Sequence, residues 1–277
     1  MRKPIVDPAV PISPPPGAAD DPVERIEGSL EAGVLFFCDH AANALPPAYG
    51  TLGLTKKQLD GHIAYDIGAA WITRHLAGIF GAPALLSRFS RLLIDPNRGA
   101  DDPTLVMRLS DGHIVPGNAR IDAGEIEYRR THYWQPYRAA IAATITDMLN
   151  HGSPPAVVSI HTFTPSWKMR PRPWEVGILW DSDPRFAKPL IAALVKDGFC
   201  VGDNEPYDGA LRGDTLDEEV TRLGLAGLLI EIRQDRVGTK EEAAAFAERL
   251  GRLLRPVLAC PELHCRAFFP SRTGRHV

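Results

Sequence analysis

The 277-residue sequence contains no run of about 18 apolar residues, the length a helix needs to cross a bilayer, so no membrane span is expected. It has no excess of basic charge either: 31 Lys and Arg stand against 34 Asp and Glu, a formal net charge of -3. That balance removes the general electrostatic reason to expect a nucleic-acid partner. Cysteine is scarce. Cys38, Cys200, Cys260 and Cys265 show no CxxC spacing, and reduced thiols in a cytoplasmic protein are the simplest account. Arg2 and Lys3 are not followed by an apolar core, so no secretory signal is expected. No internal repeat is visible. What remains is ordinary for a globular enzyme-sized chain, 44% hydrophobic and 23% charged.

Proline is plentiful at one end. Residues 1–27 include Pro14-Pro15-Pro16 and read as a flexible, extended leader, because proline offers no amide donor. Residues 28–277 then read as one catalytic domain. Strand-like and helix-like stretches alternate from Gly33 onward, which argues for an α/β sheet covered by helices on both faces. Strands are expected at Val34–Cys38, Ala84–Ser87, Leu92–Ile94, Ala156–Ile160, Val176–Trp180 and Leu225–Ile232. Helices are expected at Tyr65–Phe80, from Asp122 to about Asn150 with a kink at Pro136, from Pro184 to Asp197, and from Thr239 to about Leu254. The long stretch Gly99–Ile121 reads as a lid or binding loop. Residues past Pro256 read as a loose tail.

Three apolar runs end in chemistry-bearing residues. Val34–Cys38 leads to Asp39-His40, Ala156–Ile160 to His161, and Leu228–Ile230 to Glu231. In a sheet of buried strands such residues emerge together at the C-terminal edge, where open α/β sheets hold their sites. Two neutral imidazoles and a carboxylate there suggest a zinc hydrolase, the histidines binding the metal and the glutamate activating a water. A third ligand is open between Asp66, at a helix start, and Asn43, one turn after His40. A carboxylate is the better zinc ligand, which favours Asp66. Arg88, Arg91 and Arg98 cluster in "SRFSRLLIDPNR". Guanidinium groups bind carboxylates bidentately, so such a cluster near a metal selects an acidic substrate. Asn97-Arg98, Thr162 in "HTFTP", and Arg170 and Arg172 in "MRPRPWEVG" are further candidates for substrate contact.

Taken together, "CDHAAN" (38–43), "SRLLIDPNR" (90–98), "IHTFTP" (160–165), "PWEVGILWD" (173–181) and "IEIRQD" (230–235) resemble the N-formylglutamate amidohydrolase family, in the same order along the chain. That family is similar to zinc carboxypeptidases and aspartoacylases. The resemblance implies a three-layer α/β/α sandwich with a mixed, mostly parallel sheet, like that of zinc-dependent exopeptidases. It also implies an "NR" pair for the substrate carboxylate, matched by Asn97-Arg98, and a late-strand base, matched by Glu231. Two departures stand out. Carboxypeptidases carry His-x-x-Glu where this chain has His40-Ala41-Ala42-Asn43, which again favours Asp66. A histidine common before the "IEIR" strand is missing from residues 213–224, leaving Glu218 or Glu219 as replacements.

The resulting expectation is metal-dependent hydrolysis of a small, acidic N-acyl amino acid, with N-formyl-L-glutamate giving formate and glutamate as the type case. One Zn2+ is expected on His40, Asp66 and His161. Glu231 and Arg98 are the expected catalytic residues, with Asn97, Arg98, Arg91, Arg172 and Thr162 around the substrate. The pathway would be histidine degradation. A zinc amidase or carboxypeptidase acting on peptides or cell-wall fragments is the alternative enzyme, and an acidic amino-acid binding module the alternative from another class.

Overall fold

The computed structural model describes residues 21–274. Seven strands form one sheet: β1 (Val23–Ile26), β2 (Val34–Cys38), β3 (Ala84–Ser87), β6 (Ala156–Phe163), β9 (Val176–Leu179), β10 (Val201–Asp203) and β11 (Gly227–Arg233). Two short ribbons stand outside it, β4 (Leu109–Ser110) with β5 (His113–Ile114) and β7 (Ser166–Trp167) with β8 (Arg170–Pro171). The sheet order is β1-β3-β2-β6-β11-β9-β10. The four central strands β3, β2, β6 and β11 run parallel. β1 is antiparallel at one edge, and β9 turns antiparallel against β11 with β10 parallel to it.

Every residue of β2 and β6 is buried, which is why these strands read as continuous apolar runs rather than alternating ones. Alternate side chains enter separate layers. Phe36, Val158, Ile160, Ile230 and Ile232 pack with α2 (Ala69–Phe80), α5 (Pro184–Lys196) and α7 (Lys240–Leu258). Leu35, Phe37, Val157 and Leu229 pack with Tyr137, Ile141, Ile145 and Met148 of α4 (Gln135–His151). The three layers are thus α/β/α. Phe36 and Phe37 are fully buried on opposite faces, each contributing about 1.5–3 kcal/mol of transfer free energy. Small helices α1 (Lys56–Leu59), α3 (Ala123–Arg129) and α6 (Thr215–Glu219) fill the connections. No helix among the described residues is long and apolar enough to cross a membrane.

Several expectations change. Residues 23–26 are not leader: Val23 faces the core at 3% exposure and the strand pairs with β3. Residues 1–20 lie outside the described residues. Leu92–Ile94 is a buried turn, not a strand. The Ser90 hydroxyl accepts from Leu92 N and the Ser90 carbonyl from Leu93 N, and a short apolar run does not by itself distinguish the two. The helix expected from Asp122 is broken as Pro136 demands: α3, a π-helical stretch Arg130–Trp134, then α4 with the proline in its first turn. Helix α7 runs through Pro256 to Leu258, because buried Val257 and Leu258 carry its apolar face one turn further. The tail is not loose. Leu263 is fully buried, Ala267 N donates to Gly224 O, and Arg185 holds the carbonyls of Glu262 and Cys265.

Candidate active site

Strand parity and register bring the site together. Glu231 of β11 lies directly across from His161 of β6. His161 shares the face of Val157, and Glu231 that of Leu229, so both point into the α4 side of the sheet. His40 follows the end of β2, one strand over. Asp66 is tied to it by its backbone, Asp66 N donating to His40 O at 2.9 Å. Gly68 then adopts φ 89° to start α2; a Cβ there would meet Val237 O at 2.5 Å, so only glycine makes this turn.

The Asp66 Oδ2 atom sits between two imidazoles, 3.4 Å from His40 Nδ1 and 2.9 Å from His161 Nδ1. Thr162 N donates to the same oxygen. The three ligand atoms lie within 4.8 Å of one another, all buried, and could hold a metal ion. The far nitrogens are backed by carboxylates: His40 Nε2 lies 2.7 Å from Asp95 and His161 Nε2 3.1 Å from Asp39. Two imidazoles each oriented by a carboxylate, plus a third anionic ligand, are a donor set that suits zinc.

Charge is dense here. Burial raises the Asp66 carboxyl, but His40 and His161 outweigh it and hold it below its usual range. Asp95 is likewise held well below its range: burial is overcome by Arg91 and His40. Burial works against the His161 imidazolium, yet hydrogen bonds to Asp39 and Asp66 push it up to about 10. Glu231 differs from Asp66 and Asp95. Burial lifts its carboxyl to about 7, only partly opposed by His161. Its Oε2 is buried and has no hydrogen-bond partner among the described residues.

His40, Asp66, His161 and Glu231 line a cavity of about 460 Å³ with Asn97 and Arg98. Asp95, Pro96, Asn97 and Arg98 form a tight turn, with Asn97 N donating to Asp95 Oδ1 and Arg98 N to Asp95 O. Trp134 Nε1 holds the Arg98 carbonyl. Arg138, buried on α4, ties this turn to the start of α6 by donating to the carbonyls of Pro96, Gly213 and Asp214. Arg91 also reaches the cavity, but it is committed to Asp95 at 2.8 Å and Asp66 at 3.7 Å.

Other expected residues sit elsewhere or are occupied. The Asn43 side-chain amide donates to Leu59 O. Thr162 lines the cavity, but its hydroxyl donates to Ile67 O and accepts from Gln234. Arg172 does not line it; its guanidinium donates to Thr164 and lies 5.1 Å from the Tyr207 ring centre. Arg88 faces a groove on the other side of the β2 loop, with Pro22 and Phe89. Glu219 is paired with Arg138 at 3.4 Å, and the 213–224 segment contributes Asp214 and Leu216 to the cavity instead of Glu218 or Glu219. Sequence reading gave no role to Asp39, Asp95, Asp214 or Tyr207. For the first two there was a signal, since each is an acidic residue directly after a buried apolar run. Asp214 reaches the cavity as the N-cap of α6, in a segment where no helix was assigned from the sequence, and Tyr207 on irregular chain with no local pattern to mark it.

The N-formylglutamate amidohydrolase family model matches residues 32–237. Among solved structures, a gene product of Agrobacterium tumefaciens superposes with a TM-score of 0.83 at 33% identity, covering 88% of this chain and 98% of that one. The N-formylglutamate amidohydrolase of Ralstonia eutropha JMP134 shares the fold with a TM-score of 0.68 at 20% identity, covering 87% and 99%. Comparison with curated proteins found no match. With the family model spanning the sheet from β2 to β11 and every group that meets at its C-terminal edge, the chain belongs to the N-formylglutamate amidohydrolase family.

Proposed function

We propose that this protein hydrolyses the linear amide bond of a small N-acyl amino acid, with N-formyl-L-glutamate plus water giving formate and L-glutamate as the type case. The observation that carries this reading is the unpartnered Glu231 Oε2, buried beside the His40-Asp66-His161 group. Zinc bound by those three side chains would supply a Lewis acid that polarises the amide carbonyl and acidifies water. Glu231 Oε2 accepts a proton as the water oxygen bonds to the carbonyl carbon. It returns that proton to the nitrogen as the C–N bond breaks. A carboxyl near neutrality suits both transfers. Asn97 and Arg98 hold the substrate carboxylate, which fixes the amide against Glu231. Arg91, already neutralised by two aspartates, keeps the Asp66 and Asp95 carboxylates in place rather than binding substrate.

The experiment is a panel of N-formyl, N-acetyl and aminoacyl derivatives of glutamate, run with zinc, with chelator, and with zinc restored. Turnover that disappears with chelator and returns with zinc is expected. Tight binding of these compounds without turnover under any metal would make the protein a binding module.

A further inference from the structure

A second cavity, about 200 Å³, adjoins the first and shares Asp66, Arg91, Thr162 and Tyr207 with it. The two meet at the Asp66 carboxylate, the edge of the His-Asp-His group at which the reading above puts the amide carbonyl. Asn97 and Arg98 line only the first, so the amino-acid half of the substrate lies there. The acyl half must leave on the other side, past Asp66. A formyl group puts a single hydrogen beyond its carbonyl carbon and needs no room. The second cavity has room for about six waters at about 30 Å³ each. Its lining is mixed: Phe163, Trp167, Met107 and Ile63 offer carbon, beside polar groups that include Gln234 and the His62–Asp111 pair.

The walls are also built rather than incidental. The Arg172 guanidinium lies 5.6 Å from the Phe163 ring centre, 5.8 Å from Trp167 and 5.1 Å from Tyr207, bracing three aromatic rings. The two ribbons outside the sheet form the rim, contributing Ser110 and Trp167. In the β7–β8 turn Lys168 and Met169 both take left-handed backbone, φ 46° and 63°. Glycine or asparagine usually occupies such positions, and other residues there are strained. That strain is borne by the ribbon that presents Trp167.

Resting on the reading above, we propose that this second cavity is an acyl subsite, and that the substrates include N-acyl amino acids with a bulky apolar or aromatic acyl group. The test compares N-phenylacetyl-L-glutamate, N-formyl-L-glutamate and a dipeptide ending in glutamate on the zinc-loaded protein. A kcat/KM at least tenfold higher for the phenylacetyl compound than for the formyl one is expected. Ser110→Trp, on an exposed ribbon, should fill the cavity and lower that ratio at least tenfold, and Trp167→Ala should lower it by removing the wall. Trp fluorescence should change when the phenylacetyl compound binds the metal-free protein, and the change should be lost in Trp167→Phe. Formyl turnover equal to or above phenylacetyl turnover overturns the subsite while leaving the amidase reading intact. Preference for the dipeptide overturns the apolar assignment. A phenylacetyl preference indifferent to both substitutions places the acyl group elsewhere. No turnover of any amide removes both readings.

Discussion

Glu231 and His161 stand directly opposite each other on neighbouring parallel strands, yet different causes set their proton affinities: burial raises that of Glu231, while hydrogen bonds to Asp39 and Asp66 raise that of His161 against burial. His161 is bonded at both nitrogens to carboxylates. Glu231 Oε2 is left without a partner among the described residues. One residue is held in place by its neighbours, and the other is left available to a reactant.

Replacing Glu231 with glutamine keeps the volume and removes the base. We expect kcat to fall by about 10²-fold or more, with zinc content unchanged. Near-normal turnover would take Glu231 out of the mechanism.

In the metal-free protein the His161 imidazole holds its proton up to about pH 10. A metal ion bound at Nδ1 must displace it, so binding at pH 8 should release about one proton. Calorimetric heats in buffers of different ionisation enthalpy measure this directly, and heats independent of buffer would exclude His161 as a ligand. Asp39→Asn, which weakens the support at Nε2, should lower metal affinity about 10–100-fold.

Arg98→Met should retain metal but lose about 30- to 1,000-fold in kcat/KM toward the free acid, roughly 2–4 kcal/mol of charged hydrogen bonding. The corresponding amide of the substrate should be affected far less. Wild-type preference for the free acid in this variant would mean that the carboxylate is bound elsewhere.

Asp214 caps α6 by accepting from Asp217 N, and burial lifts its carboxyl to about 7, against its ordinary 3.8. The folded state therefore keeps a proton that the unfolded chain releases. Its contribution to stability is fully present below about pH 4 and is lost as pH rises through about 7. Asn caps as well as Asp and carries no charge. Asp214→Asn should be more stable than wild type at pH 8 and nearly equal to it at pH 4, measured by denaturant unfolding of the metal-free protein. Equal destabilisation at both pH values would show that the carboxyl is needed for more than its cap.

Much of the frame was written locally. The apolar runs at 34–38, 156–160 and 228–230 mark central strands because strands buried on both faces need no polar alternation. Thr239 with Glu242 announces the start of α7, and the full capping box forms there. His40, His161 and Glu231 were legible because each lies at the end of such a run, and strand ends point at a common edge; Asn97 and Arg98 were legible through the arginine-rich segment and the family resemblance, since Leu92–Ile94 forms a turn and not a strand. Tertiary structure decided the rest. Register set Glu231 across from His161, and the path of the 60–68 chain brought Asp66 to the Nδ1 atoms rather than Asn43. Arg91 was drawn to Asp95 and Asp66, and Arg172 to an aromatic cluster, because a buried or half-buried cation goes to whatever partner the packing places within reach. Val23–Ile26 became a strand because β3 presented an edge for it to pair with. Local sequence specifies which residues can be buried and where elements begin. Which side chains meet depends on distances between segments far apart in the chain, and only packing supplies those.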